Sequence, residues 1–492
     1  MKKNSTGIQL VLLSGLKFWN QGISLIRTMF MSRVFTLTEY GTYTKLLLIL
    51  DFAFSFIVLN VPSCANYFVS KSNSENQRKE FVFTYYVLCT IIGVILGISL
   101  VLLSPLLSIA LNNGEIAKYA WYLGFTSLFQ IITKATSYIL TSHNKSSKAV
   151  VISFVFSLFS IIGLIISYYS NNPFKTCLII MLIIDFVYTI VGYIVGYKFV
   201  NGSDKKNNDK IRFNFKTVKA IYKYIVPVGF SSIILILNTR IDKVIVSLTE
   251  SNEFYAIYAN ASKELPVAAL SVAVASIIIP KLVRLLRNGD TDKALKLWKS
   301  TLSLTMFISI FLMSGVFIFA EDVMTLIYSS KYLDGLYIFK VYLFLIPFHL
   351  IEFSLLLSAN GKTKFILISS IISLIVNIIL DFILLKLFGI IGLAYATIIA
   401  TIIMSYLQLY FSAKSLNVKI KDVFPIQNVF MLLMINLMFS IIFYFIKLLL
   451  PLDDYVGSLI ESISLALIWG ILYFIALRKI VYKSWRELNS IQ

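Results

Sequence analysis

Ser142-His143-Asn144-Lys145-Ser146-Ser147-Lys148 recurs 216 positions later as Ser358-Ala359-Asn360-Gly361-Lys362-Thr363-Lys364. Both copies are polar loops, so the common greasiness of membrane helices does not account for the match. Two further pairs keep the same order at an offset of 215. Tyr40-Gly41-Thr42-Tyr43 matches Tyr255-Ala256-Ile257-Tyr258, and Asn73-Ser74-Glu75 with Arg78 matches Asn288-Gly289-Asp290 with Lys293. A near-constant offset through polar loop residues marks a duplicated unit.

Around these loops the chain is a succession of apolar runs. Charged residues are 14% of it and hydrophobic ones 58%, which leaves lipid as the solvent for most of the chain. Runs of about 20 residues cross ~30 Å of hydrocarbon as helices, which satisfy their own backbone hydrogen bonds. Spans can be drawn over 8–30, 42–63, 81–103, 117–140, 149–170, 176–200, 222–247, 254–280, 299–320, 335–358, 364–386, 389–412, 427–449 and 457–477. The expected fold is an all-α integral membrane protein of about fourteen transmembrane helices. The first span carries Lys17 and Arg27 and lacks a small-residue cleavage site, so it reads as retained rather than as a signal peptide.

The polar stretch Asn201 to Lys219 divides the first twelve spans into six and six. An even number of spans gives both halves the same orientation, as in parallel-repeat transporters. The domain reading is residues 1–200 for an N-terminal six-helix bundle, 201–220 for a cytoplasmic linker and 221–412 for a C-terminal six-helix bundle. Residues 413–492 then hold an added two-helix hairpin with a basic tail.

The net charge of +20 would suggest nucleic acid as a partner of a soluble protein. Here its distribution assigns it to membrane topology instead. With a cytoplasmic N-terminus, the even-numbered loops and both tails hold about 28 Lys and Arg, against about five in the outward loops. The expected location is the cytoplasmic membrane, with both termini inside and no nucleic-acid partner. The outward loops carry Glu115, Glu250, Glu253, Glu321, Asp322, Asp453 and Asp454. Cys64, Cys89 and Cys177 lie in or beside apolar runs and read as packing residues.

Ionisable groups inside membrane spans are costly and face a cavity or a partner. In the first span Lys17, Asn20, Gln21, Ser24, Arg27 and Thr28 form one polar face at helical spacing. Span 7 carries Asn238, Arg240, Asp242 and Lys243, and span 8 carries Asn260, Ser262, Lys263 and Glu264. Asp51, Lys134, Asp185, Lys340, His349, Glu352 and Asp381 complete the candidates. For each, a structural ion pair or a snorkelling side chain competes with a functional role. The continuous polar face favours function most at Lys17 and Arg27.

Pro227, Pro266 and Pro347 favour kinks or breaks in spans 7, 8 and 10. The segment Pro280 to Trp298 alternates cations with leucines and suits the cytoplasmic interface. Gly361-Lys362-Thr363 lacks the preceding glycine of a phosphate loop, since Leu356 occupies that place. His143 and His349 lack metal-ligand spacing. The chain therefore reads as a carrier rather than an enzyme, without metal or cofactor.

In this order and hydropathy setting, several stretches carry a family resemblance. They are Arg33-Val34-Phe35-Thr36-Leu37-Thr38-Glu39-Tyr40-Gly41-Thr42-Tyr43, Asp242 followed by Tyr255-Ala256-Ile257-Tyr258-Ala259, Leu265-Pro266, Ile279-Pro280, and Asn377 leading to Gly389-Ile390-Ile391-Gly392-Leu393-Ala394. Over the first twelve spans the chain resembles the polysaccharide-export flippases (Wzx-like) of the multidrug, oligosaccharidyl-lipid and polysaccharide superfamily. The resemblance implies two six-helix bundles around a central cavity. It also implies alternating access that moves an isoprenoid-diphosphate-linked oligosaccharide between leaflets for envelope polysaccharide synthesis.

Its partners would be that lipid-linked oligosaccharide, membrane lipids and other polysaccharide assembly proteins. On this reading Lys17, Asn20, Gln21, Ser24, Arg27, Arg240, Lys243 and Lys263 bind substrate, the cations offsetting the desolvation of the diphosphate. Asp51, Asp242, Glu264 and Glu352 balance charge or couple transport to a Na+ or H+ gradient. A peptidoglycan-precursor lipid flippase and a multidrug exporter on the same fold are the alternatives, and a membrane glycosyl polymerase is a more distant one.

Overall fold

The computed structural model describes residues 6–72, 74–201, 212–263, 265, 268–449 and 457–490, and among these every regular element is helical. The chain divides into two compact units, Met1–Ala256 and Ile257–Gln492. Eleven helices are long and apolar enough to cross a membrane among the described residues. The linker residues 202–211, together with Lys2, Lys3, Asn73, Glu264, Pro266, Asp453 and Asp454, lie outside the described residues.

The first unit contains α1 (Thr6–Val34), α2 (Leu37–Ala53), α3 (Ala65–Lys71), α4 (Glu75–Ala110), α5 (Glu115–Lys118), α6 (Ala120–Ser142), α7 (Ser146–Tyr168), α8 (Pro173–Asn201) and α9 (Phe215–Thr249). A further helix, α10 (Asn252–Ala261), begins in it. Thr36 starts α2 through a capping box. Its hydroxyl accepts from the Glu39 backbone N–H at 3.2 Å, and the Glu39 carboxylate accepts from the Thr36 N–H at 2.9 Å. Small residues let α4 and α6 cross closely, since a Cβ on Gly97 would lie 2.5 Å from the Gly124 carbonyl oxygen.

Span 2 is not one helix. After Ala53 the chain makes a π turn over Phe54–Val58, and Leu59 and Asn60 then adopt left-handed backbone at φ 48° and 58°. A 3-10 turn over Val61–Cys64 leads into α3. Each left-handed non-glycine residue costs on the order of 1 kcal/mol, so the break needs outside support. Helix α9 supplies it through Gly229, where an added Cβ would lie 2.7 Å from the Leu59 Cβ.

The second unit continues with α11 (Ala268–Arg287), α12 (Thr291–Ile318), α13 (Ala320–Tyr328), α14 (Leu336–Tyr342), α15 (Ile346–Leu350) and α16 (Leu355–Ala359). It ends with α17 (Thr363–Phe388), α18 (Ile391–Ser415), α19 (Ile420–Val423), α20 (Ile426–Leu449) and α21 (Ser458–Ser490). Helices α17 and α18 form a tight hairpin in which a Cβ on Gly392 would lie 2.1 Å from the Leu384 carbonyl oxygen. Gly392→Ala is therefore expected to force the turn open. A cost of about 1–3 kcal/mol should appear as a lower melting temperature in detergent; an unchanged melting temperature would contradict this packing.

The last two spans dock on α12. Asn436 donates to the Ser314 hydroxyl at 2.6 Å, and Asn428 donates to Ser303 at 3.1 Å. Ser300 donates to the Glu487 carboxylate at 2.7 Å. Phe307 stacks on Tyr473 with centroids 4.8 Å apart, while Phe311 and Phe443 flank Trp469. The hairpin is thus part of the second unit's core.

Helix starts repeat between the halves with a small drift. Leu37 and Asn252 are 215 apart, Glu75 and Thr291 are 216, and Ser146 and Thr363 are 217. The turn that opened the sequence comparison falls in the last register. Left-handed Asn144 (φ 58°) corresponds to Gly361 (φ 68°), one position away from the alignment by sequence identity.

The structure refines two expectations from local sequence. Pro227 lies inside the continuous helix α9, so it makes no break, whereas Pro347 opens α15 within the segmented tenth span. The segment Pro280 to Trp298 is not a plain loop. It is the end of α11, a turn and the start of α12, with Leu282, Leu285, Leu297 and Trp298 buried in the second unit's core.

Candidate functional site: charges within the spans

The polar face of α1 splits in two. Asn20 and Ser24 are exposed, and Gln21 is half-buried, its side-chain oxygen enclosed without a hydrogen-bond partner. The Lys17 side chain lies outside the described residues. Arg27 turns into its own bundle and donates to the Ser160 hydroxyl of α7 at 3.2 Å. It also meets the Tyr43 hydroxyl of α2 and lies within electrostatic reach of Asp185 on α8. Three helices therefore converge on the Arg27 guanidinium, whose Nε is enclosed without a hydrogen-bond partner.

A second group lies where α2 meets α9. Arg240 pairs with Asp51 at 3.3 Å, both side chains about two-fifths exposed. Lys243 pairs with Asp242 at 3.4 Å, and both are almost fully buried. Lys134 of α6 is exposed, lies over the Phe54 ring at 4.1 Å and acts on Asp51 electrostatically. Arg240, Lys243, Asp51 and Asp242 are thus brought together in the first unit by two adjacent helices.

Near the end of α9 lies the most enclosed cation among the described residues, which sequence reading missed. Lys45 is fully buried and donates to the Leu111 carbonyl at 2.7 Å and the Ser247 carbonyl at 3.3 Å. Its ammonium also lies over the Tyr255 ring at 5.2 Å. Both carbonyls belong to helix C-termini, those of α4 and α9, where unpaired carbonyls and the helix dipole favour a cation. The available signal was a lysine three residues inside an apolar run, which also fits a snorkelling side chain.

Beside Lys45 a clasp of amides and hydroxyls ties α2 to the turn before α10. Asn113 donates to Thr42 and to the Asn252 side-chain oxygen, both at 3.1 Å. Asn252 donates to Thr42 and to the Thr38 carbonyl, both at 3.0 Å. Gly41 makes room, since a Cβ there would lie 2.2 Å from the Asn252 carbonyl oxygen.

Thr38 donates to Glu253 at 2.5 Å. That bond, with one from its own backbone N–H, holds the Glu253 carboxyl below its ordinary value of 4.5. A depressed carboxyl stabilises the fold fully above 4.5 and loses that contribution as pH falls through the lowered value. Acidification through this range should loosen the clasp and lower the melting temperature, and Glu253→Gln should flatten that part of the profile. An unchanged profile in the variant would remove Glu253 from the clasp.

In the second unit Lys263 is exposed and lines a small cleft of about 20 Å³ with Leu265, Phe339, Tyr342, Ile346 and His349. Tyr258 and Tyr342 share a hydrogen bond of 3.0 Å between their hydroxyls. Glu352 is exposed and accepts from Ser354 at 3.3 Å. Asn377 and Asp381 are buried one turn apart on α17. The three cysteines are buried and free.

Many membrane helices in repeated order, with charges held inside the spans, define a multi-pass membrane protein. A solved lipid II flippase MurJ in an inward closed conformation aligns at a TM-score of 0.75 and 21% identity, covering 96% of this chain and 100% of that one. An inward-facing multidrug resistance MATE family transporter of the MOP superfamily aligns at 0.63 and 12% identity, covering 80% of this chain and 94% of that one.

The family model for lipid II flippase MurJ matches residues 52–464, and the chain belongs to that family. A probable lipid II flippase MurJ from Rhizobium meliloti (strain 1021) is 26% identical over 128 residues, 25% of this chain. That match spans 24% of the relative's own length. The family is one of transporters, in keeping with the expected carrier. It corrects the expected substrate: the family match points away from a polysaccharide repeat-unit flippase and towards the peptidoglycan-precursor alternative.

Proposed function

We propose that this chain moves lipid II, the isoprenoid-diphosphate-linked precursor of peptidoglycan, across the cytoplasmic membrane. The observation that carries this reading is the family match over residues 52–464, which runs through most of both units. The charge pattern supports it physically, because a diphosphate entering a low-dielectric site needs compensating cations. Lys17, Arg27, Arg240, Lys243 and Lys263, with the polar Asn20, Gln21 and Ser24, are the groups we assign to the headgroup. Asp51, Asp242, Glu264 and Glu352 balance them or bind the coupling ion. On this reading both termini are cytoplasmic, which the basic loops favour.

The test is reconstitution of the full chain in liposomes loaded with lipid II. Leaflet exposure of the headgroup is followed with and without Na+ and proton gradients. A lipid-linked oligosaccharide without the peptide is the comparison. Faster exposure of lipid II than of the oligosaccharide is expected. Equal rates, or exposure of the oligosaccharide alone, would overturn the substrate assignment.

A further inference from the structure

Helix α21 is 33 residues long. At 1.5 Å per residue that is about 50 Å, against ~30 Å of hydrocarbon. Its apolar part ends near Leu477, so the remainder runs through the headgroup layer. That part is sorted by face. Tyr473, Leu477 and Ser484 are buried, and Glu487 turns inward to accept from Ser300 at 2.7 Å and to approach Lys296 at 4.0 Å. Arg478, Lys479, Tyr482, Lys483, Trp485 and Arg486 are all exposed on the opposite face. Four cations and two aromatic rings share that face without an acid.

The elements packed against α21 are α12, α13 and α20, and its buried residues meet them on the other side. We infer that this outward face is a binding site for the headgroup of an anionic phospholipid of the surrounding leaflet. The cations meet the phosphate, and Tyr482 and Trp485 lie among the glycerol and headgroup atoms. Topology alone requires only that the loops on one side be basic. It does not require the helix to turn its acid inward and gather cations with interfacial aromatics outward. The inference is independent of which substrate the protein moves.

The full chain is reconstituted in phosphatidylcholine bilayers in which a fixed fraction is brominated phosphatidylglycerol or, in parallel, brominated phosphatidylcholine. The signal is the difference in tryptophan quenching between the wild type and Trp485→Phe. Even one well-placed cation corresponds to about five-fold local enrichment of the anionic lipid, so several-fold stronger quenching by phosphatidylglycerol is expected. Lys479→Gln/Lys483→Gln/Arg486→Gln should bring the two lipids to parity. If that variant is not recovered folded, Lys483→Gln alone should narrow the gap.

Equal quenching by both lipids in the wild type would leave only a topological charge boundary and overturn the site. Quenching by neither would place the face in water or against a protein. Displacement of the phosphatidylglycerol signal by lipid II would make it a substrate contact instead.

Discussion

Replacing Lys45 by methionine is expected to destabilise the protein by about 2–4 kcal/mol and to remove most of its transport. Methionine keeps the unbranched stem, so the change isolates the charge. The ammonium is fully buried and bonded to the carbonyls of Leu111 and Ser247 at 2.7 and 3.3 Å. Each charge-assisted hydrogen bond contributes about 1.5–3 kcal/mol, and an orphaned carbonyl adds its own desolvation cost. Two helix C-termini would face each other across an apolar side chain, and the contact with Tyr255 would lose its cation. Melting in detergent and lipid II exposure in liposomes measure the two effects. A variant that melts with the wild type would show that Lys45 is not the cation holding α4 and α9 together.

The position of Lys45 makes this more than a local repair. It sits beside the clasp of Thr38, Thr42, Asn113 and Asn252, and farther along α2 lies the Asp51–Arg240 pair. Below that, the left-handed residues Leu59 and Asn60 break the span against Gly229. Helix α9 is therefore held to the second span by contacts of different chemistry at successive depths. Polar contacts that water can replace are suited to opening and closing, whereas a buried cation on two helix ends is not.

The helical membrane architecture was legible because apolar run length and the backbone's need for internal hydrogen bonds leave few choices. The break in span 2 was not legible. Hydropathy sums over a window and does not register that Leu59 and Asn60 leave the helix, since neither is a proline or a glycine. Pro227 decides only between a kink and a break, and here the helix runs on, because a membrane helix can accommodate a proline without breaking. Arg27 stood out on its polar stripe, but that pattern says only which face is polar, and the partner Asp185 is 158 positions away. The substrate was misread for a chemical reason. Lipid-linked oligosaccharides and lipid II present the same isoprenoid diphosphate, so cations that match the diphosphate do not distinguish the sugar and peptide beyond it.

Arg27 offers the second large effect. Arg27→Gln removes the charge that acts on Asp185 together with the donor to Ser160 and Tyr43, and losing such charge-assisted hydrogen bonds costs about 1.5–3 kcal/mol. Asp185→Asn should cost less, since Arg27 keeps its bonds to Ser160 and Tyr43. The double variant Arg27→Gln/Asp185→Asn leaves neither charge, so part of the stability should return, a non-additivity expected of groups in one network. Transport should not return with it. The guanidinium has five donors, its bonds to Ser160 and Tyr43 leave an enclosed Nε without a partner, and the side chain is only half-buried. Donor capacity is thus left for a phosphate oxygen, and glutamine does not supply the charge. Melting temperature and lipid II exposure, measured together on the two single variants and the double, separate these roles. A double variant that recovers both stability and transport would reduce Arg27 to a partner of Asp185, and the diphosphate would then rely on the remaining cations of the spans.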